Sequence, residues 1–272
     1  MDCITRHIQY DSRTDVFRLI AIADVHLGNL HANEKLLKQL AQEIQTQPFT
    51  YWIGLGDMCE FINVKDPRFD PSELAPWLGM DDLKDLARAE TARFLDIMRP
   101  CASKCLGLVE GNHEESIRTH SEADVYGALI EGLADKEHEH RLEHRGIVSW
   151  VFDRGAAKAN SWTLRIHATH GSGGGQSAGS VSNKLLQIAD QMDGIDVVLM
   201  GHHHKPDWKP ISRVRAGKRK SEVVTIHTIA CPALCSDMRY ADRKDYRAYP
   251  TGYAELLITP NTHHVEVRLN VG

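Results

Sequence analysis

Apolar residues in this chain gather into short runs, and the clearest of them stop at side chains able to bind a metal or a proton. Phe17 to Ala23 is one such run and ends at Asp24, while Tyr51 to Leu55 ends at Gly56-Asp57. Their length predicts strands. Between them Leu36, Leu37, Leu40 and Ile44 fall on one helical face, with Asn33 as a cap and Pro48 just past the end. Together the three segments predict a β-α-β unit. A further helix is expected through Leu83, Leu86, Leu95 and Met98, followed by a run from Cys105 to Val109 that leads into Glu110-Gly111-Asn112-His113-Glu114. Trp162 to Ala168 leads into Thr169-His170-Gly171, and Ile195 to Met200 into Gly201-His202-His203-His204. Each strand thus delivers polar residues at its C-terminal end, where open α/β sheets place their ligands.

The last third has a different rhythm. Val223 to Ile229, Tyr253 to Thr259 and His264 to Leu269 are strand-like and separated by turns rather than long helices, which predicts an antiparallel portion over about 205–272. An irregular insertion is expected over about 61–99, opening with Pro67, Pro71 and Pro76. The fold class expected is α/β (α+β), a four-layer α/β/β/α sandwich of two mixed sheets flanked by helices. It is read as a single domain over residues 1–272, with its site at the strand C-terminal ends.

Composition narrows the function. A chain of 272 residues that is 42% hydrophobic buries a sizeable core. The formal net charge of −5 gives no global attraction to nucleic acid. No stretch approaches the ~20 apolar residues of a membrane helix, and Met1 to His7 does not resemble a leader, so a cytoplasmic protein is expected. Six cysteines are too sparse for a disulfide scaffold. The unusual feature is 16 histidines, several of them late in the chain.

Collected in order, the strand ends offer Asp24 and His26, Asp57, Asn112 and His113, His170, then His202 and His204. A mixture of carboxylate, imidazole and amide oxygen suits divalent Mn, Fe, Zn, Ni or Co, with Mn favoured. So many donors are too numerous for one ion, and two ions sharing a carboxylate are the economical reading. The series D-x-H, G-D, G-N-H-[D/E], H and G-H-x-H resembles the signature of the calcineurin-like metallophosphoesterase superfamily, over roughly residues 17 to 204. The resemblance implies that Asp24, His26 and His204 hold one metal and Asn112, His170 and His202 the other. It makes Asp57 the bridge, His113 a catalytic histidine that binds no metal, and Glu114 a support behind the ligands. Two such cations about 3.5 to 4 Å apart activate a bridging hydroxide and neutralise phosphate oxygens, while His113 serves the leaving alkoxide as a general acid.

The expected substrate is a phosphoester, and a phosphodiester of a nucleotide or nucleic acid is the leading choice. Met58-Cys59-Glu60-Phe61 departs from the Asp-Arg-Gly element of the Ser/Thr protein phosphatase branch, and the compact G-D-x-x-[D/E] arrangement looks more like bacterial or phage phosphodiesterases of the Mre11 type. The Glu at 114, where the nuclease relatives usually have Asp, departs from that branch. A small-molecule phosphomonoesterase and a catalytically silent scaffold are the alternatives. Arg213, Arg215, Lys218, Arg219 and Lys220 read as a basic hairpin tip, either a solvated turn or a contact for a polyanion. Gly171 to Gly175 reads as a linker or a substrate-facing loop. Tyr240, Tyr246 and Tyr249 with Arg239, Arg243 and Arg247 could line a pocket. Cys101, Cys105, Cys231 and Cys235 read as buried small hydrophobes rather than a zinc site. His203 is expected to point away from the metals by strand-like alternation. His167, His227, His263 and His264 are read as structural or surface residues.

Overall fold

The computed structural model describes residues 1–134, 139–155, 161–173, 179–216, 220–236 and 248–272. In chain order its principal elements are β1 (Asp2–Tyr10), β2 (Phe17–Ile22), α1 (Glu34–Thr46), β3 (Thr50–Gly54), α2 (Leu86–Met98), β4 (Cys105–Leu108), α3 (Asn112–Ser121) and α4 (Val125–Leu133). They continue with β5 (Arg145–Arg154), β6 (Ser161–Thr169), α5 (Ser180–Asp190), β7 (Val197–Met200), β8 (Asp207–Ala216), β9 (Ser221–Ala230), β10 (Gly252–Thr259) and β11 (His264–Val271). One sheet has the order β1-β5-β6-β7-β9-β8 and the other β11-β10-β2-β3-β4.

The unbroken apolar runs are explained by cores on both faces of each strand. In β2, Phe17, Leu19 and Ala21 join Trp150, Phe152, Leu164 and Ile166 in the core between the sheets. Ile20 and Ile22 point the other way, into a second core with Leu37, Leu40 and Ile44 of α1, Phe94 of α2 and Leu129 of α4. In β7, Val197 and Leu199 face the first sheet-sheet core. Val198 and Met200 pack on Val181, Leu185 and Ala189 of α5. The result is the expected α/β/β/α sandwich of two mixed sheets. Each fully buried Ile or Leu in it contributes about 1.5–3 kcal/mol.

Local signals act where expected. Asn33 caps α1 by accepting from the Leu36 amide at 3.0 Å, and Leu37, Leu40 and Ile44 form its buried face. Other features depart from the pattern. The region beyond Phe61 is irregular only as far as Asp85, with short 3-10 turns at Pro71–Glu73 and Asp82–Lys84, after which α2 joins the helical layer. The C-terminal strands form two hairpins in different sheets. β8 and β9 close one edge of the six-stranded sheet, β10 and β11 one edge of the five-stranded sheet, and β9 is parallel to its other neighbour β7. β1 and β5 pair in parallel from Asp2↔Gly146 to Tyr10↔Arg154. Among the described residues no helix is long and apolar enough to cross a membrane.

Candidate metal centre

The loops after β2, β3, β4, β6 and β7 meet at one end of the sandwich. Two groups of donors each converge to within 4.8 Å, Asp24 with His26 and His204, and Asp57 with His170 and His202. Asp57 lies between them, with Oδ2 3.2 Å from His170 Nε2 and 4.0 Å from His26 Nε2. Asn112 Oδ1 sits 3.0 Å from His170 Nε2. All seven candidate ligands therefore come together, although the segments that carry them span about 180 positions between Asp24 and His204.

Backbone geometry reveals the cost of this convergence. Asp24, His26, Asp57, His202 and His204 all adopt left-handed backbone, with φ of 51, 49, 53, 70 and 54°. Non-glycine residues pay roughly 1–3 kcal/mol each for such conformations, and they persist only where the surroundings over-determine them. Here the amides of Val25 and His26 donate to the Asp57 carbonyl at 2.9 and 3.1 Å, and the His202 amide donates to both Asp24 carboxylate oxygens at 3.1 and 2.9 Å. The left-handed turns also supersede the alternation expected of His202 to His204. His203 leaves the ligand cluster because of these turns, not through a strand, and its Nε2 lies 3.4 Å from Lys184 Nζ.

The donor set fits a cation. His26 Nδ1 is 2.9 Å from a Glu60 carboxylate oxygen, while its buried Nε2 has no hydrogen-bond partner among the described residues and lies 4.0 Å from Asp57 Oδ2. His170 Nδ1 is 2.8 Å from the Leu55 carbonyl. That leaves its Nε2 facing Asp57 Oδ2 at 3.2 Å and Asn112 Oδ1 at 3.0 Å, with His202 Nδ1 3.3 Å away, so several groups able to bind a cation crowd one point. Carboxylate or carbonyl groups that fix the far nitrogen of an imidazole are the usual second layer of a metal site.

In the metal-free protein protons supply the missing positive charge. Burial alone would lower the His170 pKa, but the Asp57 carboxylate raises it to about 10. Burial likewise opposes ionisation of Asp57, yet His170, His113 and His26 hold it well below the ordinary carboxylate range. Asp24 is also lowered, against the effect of burial, by His204. His202 is lowered by burial and then by the His170 charge.

His113 stands beside the ligands on the first turn of α3. Its amide donates to Asp57 Oδ1 at 2.9 Å, its Nδ1 bonds the Glu60 carbonyl, and its ring centroid is 4.6 Å from that of His26. Burial would lower its pKa, but Asp57 and Glu60 raise it. Glu114 accepts from the amides of Asp57, Met58 and Gly111 at 3.0, 2.8 and 3.0 Å. Its pKa rises to about 7 through burial and the nearby Asp57 charge. Gly111 is required here, because a Cβ would lie 2.2 Å from Asp57 Oδ1.

A family model described as calcineurin-like phosphoesterase matches residues 17–206. The chain belongs to that family. It is accordingly a hydrolase of phosphoesters whose family binds divalent metals. No curated sequence matches this calcineurin-like phosphoesterase significantly. Among solved structures, a Streptococcus pneumoniae protein described as a predicted phosphoesterase is 12% identical, with 94% of this chain and 99% of that chain covered and a TM-score of 0.36. The NAD nucleotidase of Haemophilus influenzae is 10% identical, with 93% and 49% covered and a TM-score of 0.44.

Sequence reasoning did not assign Glu60, although it noted the acid in the G-D-x-x-[D/E] arrangement. A third convergence of donors, His26, Glu60 and His113, shares His26 with the first. The spacing from Asp57 was the available signal. Other features of this calcineurin-like phosphoesterase lie away from the site. β9 runs parallel to β7 towards the metal end, so the Ala216↔Ser221 pair closes its hairpin at the far end of the sheet. From Ser221 to Ala230 that is about 30 Å of strand. Arg213 is paired with Asp190, and Arg215 is 3.9 Å from Asp196. Arg213 and Arg215 thus face acidic partners at the end of the sheet away from the donors, while Lys218 and Arg219 lie outside the described residues.

Gly174 and Gly175 also lie outside them, as do Arg239, Tyr240, Arg243, Tyr246 and Arg247. No cysteine takes part in a metal-ligating group among the described residues, and Cys59, Cys101, Cys105, Cys231 and Cys235 are buried free thiols. His167 is buried, His227 and His263 stack on Trp208 and Trp162, and His264 is exposed.

Proposed function

We propose that this chain is a dinuclear metal-dependent phosphodiesterase acting on nucleotide or nucleic-acid substrates. Asp24, His26 and His204 hold one ion, Asn112, His170 and His202 hold the other, and Asp57 joins them. The donor mixture favours Mn, with Fe, Zn, Ni and Co as alternatives. When bound, such a pair supplies Lewis acidity for water activation and neutralises phosphate oxygens.

The chain's own residues supply orientation and the proton. Glu60 and the Leu55 carbonyl fix the Nδ1 side of His26 and His170, which turns each Nε2 inward. The Glu60 carbonyl does the same for His113. Asp57 and Glu60 raise the His113 pKa and so favour its protonated form, which suits His113 Nε2 to protonate a departing alkoxide. The observation that carries the reading is the position of Asp57, with one oxygen facing His26 and His170 and the other bound by the His113 amide.

The diester preference is supported by the Met58-Cys59-Glu60-Phe61 departure from the protein-phosphatase element. Hydrolysis of bis-(p-nitrophenyl) phosphate and p-nitrophenyl phosphate in Mn²⁺ tests it. Faster turnover of the diester is expected. Strong preference for the monoester makes the protein a small-molecule phosphomonoesterase, and a metal-loaded sample inert across a broad phosphoester panel makes it a binding protein.

A further inference from the structure

Glu90 lies on α2, outside the ligand set, yet its side chain reaches both turns that carry the first ligands. It is 1% exposed. Its Oε2 accepts from the Phe61 amide at 2.7 Å, and the Cys59 thiol donates to its backbone carbonyl at 3.5 Å. On the other side the carboxyl packs directly on Gly28, where a Cβ would come 2.3 Å from Oε1. Gly28 has φ +112°, a conformation that also favours glycine. The two turns are laced together alongside it, by Leu27 donating to the Met58 carbonyl at 3.2 Å and Glu60 donating to the Leu27 carbonyl at 3.0 Å.

A buried carboxyl on the apolar face of a helix is costly, and its presence calls for a specific role. Burial holds this one well above the ordinary carboxylate range. Its Oε2 serves as the acceptor for the Phe61 amide. Phe61 has left-handed backbone, φ 51°, and immediately follows Glu60, whose carboxylate orients His26 and whose carbonyl orients His113. Holding the Phe61 amide therefore fixes the direction in which Glu60 presents both of its groups.

We infer that Glu90 is a positioning residue for the metal centre, clamping the Glu60-Phe61 turn against Gly28 so that Glu60 aligns His26 and His113. The inference rests on the metal-centre reading above but not on the choice of substrate.

The test uses the full chain with Glu90→Gln, Glu90→Asp and Glu90→Leu. Gln keeps the length and the oxygen acceptor, and should retain parental Mn²⁺ affinity and turnover. Asp keeps the acid but is one methylene too short for Phe61, and Leu removes the acceptor. Both should bind Mn²⁺ about tenfold more weakly, in the range seen when outer supports of metal ligands are lost. With the metal absent, imidazole ¹⁵N shifts should show the parental Nδ1–H tautomer of His26 in the Gln variant and a mixture in the Asp variant. Phe61 amide exchange should accelerate in step. Lower kcat at little-changed KM on bis-(p-nitrophenyl) phosphate is expected for Asp.

Parental Mn²⁺ affinity and an unchanged His26 tautomer in Glu90→Asp would overturn the inference, as would a Gln variant as impaired as Asp. Should Leu fail to fold, the Gln and Asp pair decides. A parent that binds Mn²⁺ but hydrolyses no phosphoester defeats the proposed function while leaving the Glu90 measurements decisive.

Discussion

The backbone amide of His113 donates to Asp57 Oδ1 at 2.9 Å, so the proposed acid is anchored by the same carboxylate that faces both groups of donors. Because that bond uses the main chain, the two functions of the pair are separable by mutation. His113→Ala keeps the amide and so keeps Asp57 in place. Metal content should remain parental by elemental analysis, while kcat on substrates with poor leaving groups falls ~10²-fold or more. Full activity on such substrates would show that His113 is not the acid.

Asp57→Asn should behave in the opposite way. The amide oxygen still accepts from His113, but the negative charge shared by the two donor groups is lost. Mn²⁺ affinity should drop at least ~10-fold in calorimetric titration. Parental occupancy in this variant would mean that Asp57 does not join the sites.

Protons and metals should compete for His170. Despite burial, the Asp57 carboxylate raises its pKa from 6.5 to about 10 in the metal-free protein. The stability this gives the metal-free form is complete below the unfolded value of 6.5 and is lost as pH rises through about 10. Mn²⁺ affinity should rise over the same window as the competing proton leaves. Titrations near neutral pH in buffers of different ionisation enthalpy should report proton release on binding. A binding enthalpy independent of the buffer would contradict this.

His167 sets an acid limit. Burial, aided by Arg145, lowers its pKa from 6.5 to about 4. Its stabilising effect is present above the unfolded value of 6.5 and fades as pH falls through about 4. Between neutral pH and about pH 5 this amounts to about 2 kcal/mol. Urea midpoints of His167→Leu should therefore lose less over that interval than those of the parent. Equal losses in the two proteins would place the acid sensitivity elsewhere.

Much of the sandwich is legible before folding because its central strands are covered on both faces. The Phe17 to Ala23 and Ile195 to Met200 runs need no register information to be recognised. β1 is less visible. It is an edge strand with Ile4, Arg6 and Tyr10 buried among exposed neighbours, and its alternation includes a charged residue whose guanidinium is satisfied by the Glu139 carbonyl and His140 Nδ1. The role of Glu90 is invisible for another reason. Glu60 is at least marked by its spacing from Asp57, but nothing in the chain distinguishes an acid that binds the Phe61 amide from 29 positions away from an acid on a surface.

By itself the sequence determined which side chains end the apolar runs, and therefore the donors Asp24, His26, Asp57, Asn112, His170, His202 and His204. A strand buried on both faces has to leave the sheet where its apolar run stops, so order along the chain is enough to find them. Tertiary structure alone decided how those donors are aimed. The left-handed turns, the Asp57 position between two groups, and the hold of Glu60 and Glu90 depend on hydrogen bonds between segments that only packing brings within reach. It also decided that the Arg213 and Arg215 pair belongs to the far end of the sheet, because strand direction is a property of the sheet and not of the strand.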